Sequence, residues 1–354
     1  MNDVVITGWG VVSAIGSGAE EFTRAYRGRA SGLRPLTLFR SPHYRRDVAG
    51  EVPAFDFAAL LGKKGLKTCD RSTLLLLAAT ELLYREMGLA GPEARRRALA
   101  DEEVGIALGT LGSLKSIADF DMESVRAPQF VVPTLFPNTV FCAAASYAAI
   151  RYAFKESCVT LSNDEPSAVL AFGAGLGRLR RGRARQMVVG GTHELSDIWS
   201  LAHQKACDRL GTPAPVLGEG AAVFALERRD DAERRGAQPL AEVLGCASAF
   251  CPDKPLAFGT ILERLRAQAG ARAVDAVAHV FSAQKADLDE GAAFPGAEVH
   301  RLYPRFGFLS AAQGAVAAAA ALADDRIPAG AHVLVSTADT GGSCAALLLR
   351  KQVA

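Results

Sequence analysis

Val159-Thr-Leu-Ser-Asn-Asp-Glu-Pro-Ser-Ala168, continuing as Val-Leu-Ala-Phe-Gly-Ala-Gly175, decides how this chain is read. The short apolar run Val159–Leu161 reads as a strand, and it ends in the polar turn Ser162-Asn163-Asp164-Glu165. A small-residue helix is expected from Pro166 to Arg180. Such a strand–turn–helix unit holds the turn's side chain at the positive end of a helix, where an anionic group is favoured. Proline suits the first helical turn, and Asp164 or Ser162 can cap it.

Outward from this unit, strands and helices alternate. Val4–Thr7 is expected to be a buried strand, with Gly8-Trp-Gly-Val-Val-Ser-Ala-Ile-Gly16 a glycine-rich turn. The glycine spacing fails the dinucleotide fingerprint, and no acidic partner follows, so tight turning explains it better than a cofactor. Ala19–Arg27 has an amphipathic helical pattern, and Asp70 caps an apolar helix running to Leu83. Val104–Leu108 reads as a strand, residues 113–140 as irregular, Ala143–Ala153 as helix, and Gln186–Val189 as a strand closed by Gly190-Gly191. Val216–Glu227 is a turn feeding a strand, and the charged stretch Arg228–Gln238 is the best connection between halves. The pattern then restarts with Leu240–Val243, a helix over Gly259–Gln268, the strand Ala276–Phe281 and an alanine-rich helix within Arg305–Asp325. His332–Ser336 and Ala345–Arg350 close the chain as strands. Two α/β rounds in succession imply a mixed or parallel sheet and a duplicated core.

The bulk properties narrow the function classes. With 354 residues, 49% hydrophobic and 22% charged, the chain can bury a large core. A formal charge of +2 argues against dedicated nucleic-acid binding. No apolar run reaches the roughly 18 residues of a membrane span. The N-terminus enters a strand without signal-peptide features, and seven scattered cysteines point to a reducing cytoplasm. Cys246 and Cys251 lack a second Cys/His pair, and His43, His203, His300 and His332 show no ligand spacing. Neither a metal nor a cofactor is expected.

Several motifs recur in one order: Val4–Gly16, Asp70-Arg71 before an apolar helix, Pro137-Asn138 before a small-residue helix, Leu217-Gly-Glu-Gly-Ala221 before a strand, Gly307 with Gly314, and Gly341-Gly342. Together with the 159–175 unit they resemble the β-ketoacyl synthases of the thiolase superfamily across nearly the whole chain. The resemblance implies a thiolase-like five-layered α-β-α-β-α fold of two similar halves, here 1–228 and 239–354, and a dimer.

It also implies a site. The family uses a Cys at the turn as acyl acceptor and two His to stabilise an enolate, meeting the need for an attacking thiolate and oxyanion donors. Here Glu165 aligns with the nucleophile, Val280 or Phe281 with the first His, and Phe308 with the second. Losing all three favours a retired site over an altered one. A helix N-terminus stabilises a carboxylate by about 0.3–1 kcal/mol, so Glu165 is also explained structurally. His193-Glu194 after Gly190-Gly191 read as structural residues.

The functional expectation is a catalytically silent, chain-length-factor-like subunit. It would pair with an active ketosynthase and shape its acyl tunnel in type II polyketide, polyene (an aryl polyene among them) or fatty-acid biosynthesis. Phe120, Leu135 and Phe136 fall in the excursion that crosses the dimer interface in relatives, and are candidates for tunnel or interface. Arg178, Arg180, Arg181, Arg183 and Arg185 are either a solvated helix end or a docking patch for an acidic acyl carrier protein, which Arg40, Arg45 and Arg46 would extend. The segment between Gly191 and Val216 looks trimmed. The alternative is a homodimeric acyl-transferring enzyme using Glu165 or a displaced thiol, Cys142, Cys158 or Cys344. A scaffold that only holds carrier proteins is a third reading.

Overall fold

The computed structural model describes residues 3–41, 44–283 and 289–352. Ten strands of four to ten residues form one continuous mixed sheet, with the two-residue strand Gly16–Ser17 appended. The first half supplies β1 (Val4–Ser13), β2 (Val104–Gly109), β3 (Cys158–Leu161), β4 (Gln186–His193) and β5 (Gly220–Arg228). The second supplies β6 (Ala241–Phe250), β7 (Val277–Ser282), β8 (Glu298–Arg301), β9 (His332–Ala338) and β10 (Ser343–Lys351). Spatial order is β3-β2-β4-β5-β1 in one half and β8-β7-β9-β10-β6 in the other. In each half the first two pairings are parallel and the next two antiparallel. The halves therefore share one topology, although their residues show little self-similarity. They join where Val5 and Ile6 of β1 pair with Glu242 and Ala241 of β6.

The helices complete the layers. The principal ones, in chain order, are α1 (Ala19–Arg27), α2 (Arg71–Glu86), α3 (Leu114–Arg126), α4 (Ala143–Tyr152), α5 (Ser167–Arg180), α6 (Asp197–Leu210), α7 (Lys254–Ala269) and α8 (Gln313–Ala323). Helices α5 and α8 occupy equivalent places in the two halves. Their small residues (Ala168, Ala171, Ala315 to Ala321) are buried in one central cluster with strands of both halves. Ordinary bulky side chains would hold these helices too far from the strands between which they lie. Helices α2 and α4 cover the outer face of the first half, and α7 that of the second. This is the five-layered arrangement expected.

Local chemistry explains the helix boundaries. The Asp70 carboxylate accepts from Thr73 N at 2.7 Å, so α2 starts there, and eleven of its sixteen residues are buried. The Asp253 and Ser196 side chains cap α7 and α6 in the same way.

Several expectations change. Gly8–Ser13 is strand rather than turn: β1 continues past Thr7 through a register shift between Ile6 and Gly8. A Cβ at Gly10 would lie 2.0 Å from Ala79 O, so these glycines serve a close helix crossing. Gly190-Gly191 likewise lie inside β4. Residues 113–140 hold α3 and two short 3₁₀ turns; its polar pattern hid a helix that is only half-buried. The segment that looks trimmed carries the fourteen-residue α6. Arg228–Gln238 is ordered, with Asp231 gripping Arg228 and Arg234 at 2.7 Å each.

Candidate functional site

The polar turn between β3 and α5 is a sharp elbow. Asp164 has φ 45°, the left-handed region that an Asp tolerates better than most residues. Ser167 Oγ fastens the turn, donating to Asp164 O at 2.6 Å and accepting from Asn163 N at 2.8 Å. Gly109 at the end of β2 makes room, since a Cβ there would sit 2.4 Å from Ala168 N. Glu165 is buried behind the elbow, while Ser162 and Asn163 stay exposed.

The second half builds the matching turn ahead of α8, and its left-handed residue is Ser310, φ 41°. Ser310 Oγ donates to Asp164 Oδ1 at 2.5 Å, so the two elbows meet tip to tip. Counted back from the first residue of each central helix, Asp164 and Ser310 occupy the same position. The strained residue, where a strand–turn–helix elbow displays its side chain, is thus Asp164, one place before Glu165. Ser343 Oγ donates to Asn163 Oδ1 at 3.3 Å and ties the start of β10 to the same spot.

The other two aligned positions, Phe281 and Phe308, are both buried. Strand β7 runs through Val280 and Phe281 to Ser282, so the residue that follows it is Ala283, itself buried. Phe281 lies within the strand and stacks on His300 with ring centroids 4.4 Å apart. Phe308 packs in a separate cluster with Tyr44, Leu195, Trp199 and Leu217. There it meets the edge of His203, from α6, at 5.2 Å. Trp199 links His203 to His193 by further edge-on contacts at 5.5 and 4.8 Å. Residues 203 and 308 are too distant in sequence for this proximity to be read from spacing.

Beside this aromatic row lies a cavity of about 530 Å³ lined by Asp70, Arg71, Ser113, Lys115 and Glu194 together with Leu38, Phe39 and Leu195. Arg71 forks onto the fully buried Glu219 at 2.6 and 2.5 Å. Glu219 also accepts from Val52 N and Leu195 N. Glu194 accepts from Ser113 Oγ at 2.7 Å, and burial pushes its carboxyl up to about 7. His193 points the other way from the strand end, and burial, aided by nearby His203, depresses it to about 3. The two adjacent residues therefore sit in different environments and do not form one acid–base pair.

The thiols offer no elbow nucleophile. Cys344 is buried in the outer cluster of the second half, and burial pushes its thiol up to about 11. Cys142 and Cys158 are exposed at the α4 and β3 ends.

The five arginines in the last turn of α5 and just after it are largely used internally. Arg178 pairs with Glu156, Arg180 donates to Leu244 O at 2.9 Å, and Arg185 reaches Glu103 and Asp231. Arg181 and Arg183 remain exposed. Arg45 pairs with Asp208, and Arg46 donates to Ala214 O. His43 lies outside the described residues.

Phe120 and Phe136 pack together at 5.6 Å between centroids, with Leu135 and Phe136 partly exposed. Around them Val125 (83%), Phe130 (67%) and Ile150 (77%) face solvent, along with Val132, Val140 and Phe141. This apolar surface adjoins β3, which among the described residues pairs only with β2.

Two five-stranded units of one topology, with a pair of buried small-residue helices between them, define a thiolase-like α/β protein. The chain belongs to the β-ketoacyl synthase family: residues 1–232 match the family model for the beta-ketoacyl synthase N-terminal domain. It is 25% identical over 260 residues to a 3-oxoacyl-(acyl-carrier-protein) synthase 2 of Coxiella burnetii, covering 68% of this chain and 62% of the relative. It is 28% identical over 271 residues to the tetracenomycin polyketide synthase ketoacyl synthase alpha subunit of Streptomyces glaucescens, covering 69% of this chain and 62% of that one. The aligned region thus spans less than two thirds of these relatives. Among solved structures, the ishigamide ketosynthase/chain length factor superposes with TM-score 0.84 and 29% identity, covering 99% of both chains. No helix among the described residues is long and apolar enough to cross a membrane.

Proposed function

We propose that this chain is a catalytically silent, chain-length-factor-like ketosynthase subunit that pairs with an active β-ketoacyl synthase and bounds its acyl tunnel. The observation that supports the reading is the elbow: two carboxylates, Asp164 and Glu165, occupy the turn that the sequence aligns with the family's thiol, and Asp164 accepts from Ser310. Ala283, Phe281 and Phe308 bring no ring nitrogen to it. One oxyanion donor is worth about 2.7–4 kcal/mol of transition-state stabilisation. Without thiol and donors the condensation has neither acceptor nor enolate stabiliser.

Pairing is supported by the apolar surface over α3, the 128–141 turns and α4, because a monomer seldom exposes so many large side chains together. The open edge of β3 beside it adds unpaired backbone groups to the same face. Phe120, Leu135 and Phe136 would line the shared tunnel there. The division into halves at 1–228 and 239–354 belongs to the same proposal, as do an acyl carrier protein as substrate donor, with Arg181 and Arg183 as its remaining basic contacts, and a cytoplasmic setting.

The test is reconstitution of condensation with a ketosynthase that co-purifies with this chain. Activity lost on omitting the chain and kept in Asp164→Asn and Glu165→Gln variants is the expected result. Full activity of the ketosynthase alone overturns the proposal, as does an acyl adduct on Asp164, Glu165 or any cysteine of this chain.

A further inference from the structure

The edge of the second half carries a feature that the condensing fold does not require. His279 on β7 is the register partner of Glu298 on β8, and Phe281 that of His300. Because side chains alternate across a strand, His279, Phe281, Glu298 and His300 share one face. His279 Nδ1 and His300 Nε2 lie 3.3 Å apart. Glu298 reaches both rings, Oε2 at 3.8 Å from His279 Nδ1 and Oε1 at 3.8 Å from His300 Nδ1. One ligand atom from each of the three can be chosen so that all lie within 4.8 Å of one another.

We propose that His279, Glu298 and His300 form a binding site for a divalent transition-metal ion of the zinc type. Two nitrogens on one tetrahedral zinc, each roughly 2.0–2.1 Å from the metal, lie about 3.3–3.4 Å apart. The observed nitrogen separation already equals that edge. The surroundings supply an orienting shell. Stacking on Phe281 fixes the His300 ring, and His300 Nδ1 faces the buried Asp324 carboxylate at 3.9 Å, beyond direct hydrogen bonding but within easy adjustment. A carboxylate behind a ligating imidazole sets its tautomer and raises its basicity.

The cavity wall is basic overall, with Arg27, Arg29, Arg301, Arg305 and Arg326 against Glu298, Asp324 and Asp325, so the attraction for a cation comes from the two carboxylates nearest the imidazoles. Glu298 and Asp324 stand against Arg326, which grips Asp324 at 2.5 Å and touches Glu298 at 3.4 Å. Glu298 is half-exposed, so it can leave this longer contact for a metal while Arg326 stays on Asp324. The site opens onto a cavity of about 560 Å³ that includes Tyr26, Arg301 and Arg305 in its wall, which gives an ion access and leaves room for water as the fourth ligand. The consequence would be a metal staple between strand β8 and its neighbour β7, the one strand it pairs with among the described residues.

The test uses the intact chain and Zn²⁺ by calorimetry, with Co²⁺ as a spectroscopic probe. One equivalent should bind at micromolar or tighter affinity, with a cobalt spectrum free of thiolate charge-transfer bands. His279→Gln and Glu298→Gln, both at partly exposed positions, should each weaken binding by tenfold or more. Near-ultraviolet circular dichroism checks that both variants are folded. No uptake by the unsubstituted chain overturns the site, as does uptake unchanged in both variants or a thiolate-dominated cobalt spectrum.

Discussion

Glu194→Gln and His193→Leu are expected to tilt the pH dependence of stability in opposite directions, although the residues are neighbours. Burial raises the Glu194 carboxyl from 4.5 to about 7. Between these values the folded state holds a proton that the unfolded state has released. Glu194's contribution is therefore fully present below about pH 4.5 and is lost as pH rises through about 7. Integrating the linkage gives a loss of about 2.5 kcal/mol between pH 5 and pH 8. His193 is depressed from 6.5 to about 3, first by burial and then by His203. Its contribution is present above about pH 6.5 and is lost as pH falls toward 3, about 2 kcal/mol of it between pH 8 and pH 5. In the unsubstituted chain the two nearly cancel. The stability at pH 8 minus that at pH 5 should rise by about 2.5 kcal/mol in Glu194→Gln and fall by about 2 kcal/mol in His193→Leu. Urea unfolding at four pH values reads both quantities, and any pH-independent cost of either substitution drops out of the difference. A Glu194→Gln profile parallel to that of the unsubstituted chain would refute the reasoning, since the carboxyl would then ionise alike in both states.

Arg71→Met should destabilise the fold by about 3–5 kcal/mol in the same unfolding assay, because it strands the fully buried Glu219; adding Glu219→Gln should recover much of that loss, and no recovery would mean the fork matters only through Arg71's packing. Val125→Lys, at an 83% exposed position near the C-terminus of α3, should change monomer stability by less than about 0.5 kcal/mol yet abolish co-purification with a ketosynthase. Undiminished pairing would move the interface elsewhere.

The elements with strong local signals are legible in the sequence. Helix α1 spans the residues its amphipathic pattern indicates, and Asp70 caps α2 through Thr73 N. What sequence hides is mostly long-range. Gly8 to Ser13 look like a turn because glycine usually marks one, yet here they are strand thinned for a crossing helix at Ala79. Helix α3 is hidden because none of its residues is fully buried, so no periodic buried face advertises it. At the elbow the sequence places a carboxylate on the turn, but only backbone geometry separates Asp164 from Glu165 as the strained residue. The pairing of Asp164 with Ser310 spans 146 positions and follows from the duplication, which the topology preserves and the residues have lost. Likewise His279 and His300 have no ligand spacing along the chain; strand register brings them together.

The uncovered face of α3 and α4, flanked by the raw edge of β3, also bears on how the polypeptide must be made. A copy synthesised without a companion would present sticky hydrocarbon and a free hydrogen-bonding rim to every other nascent protein. Such orphans are what chaperones retain and proteases clear. Balanced production alongside whatever covers that face, ideally from neighbouring reading frames, would then be a condition of the chain's survival in the cell, quite apart from any role in building a product.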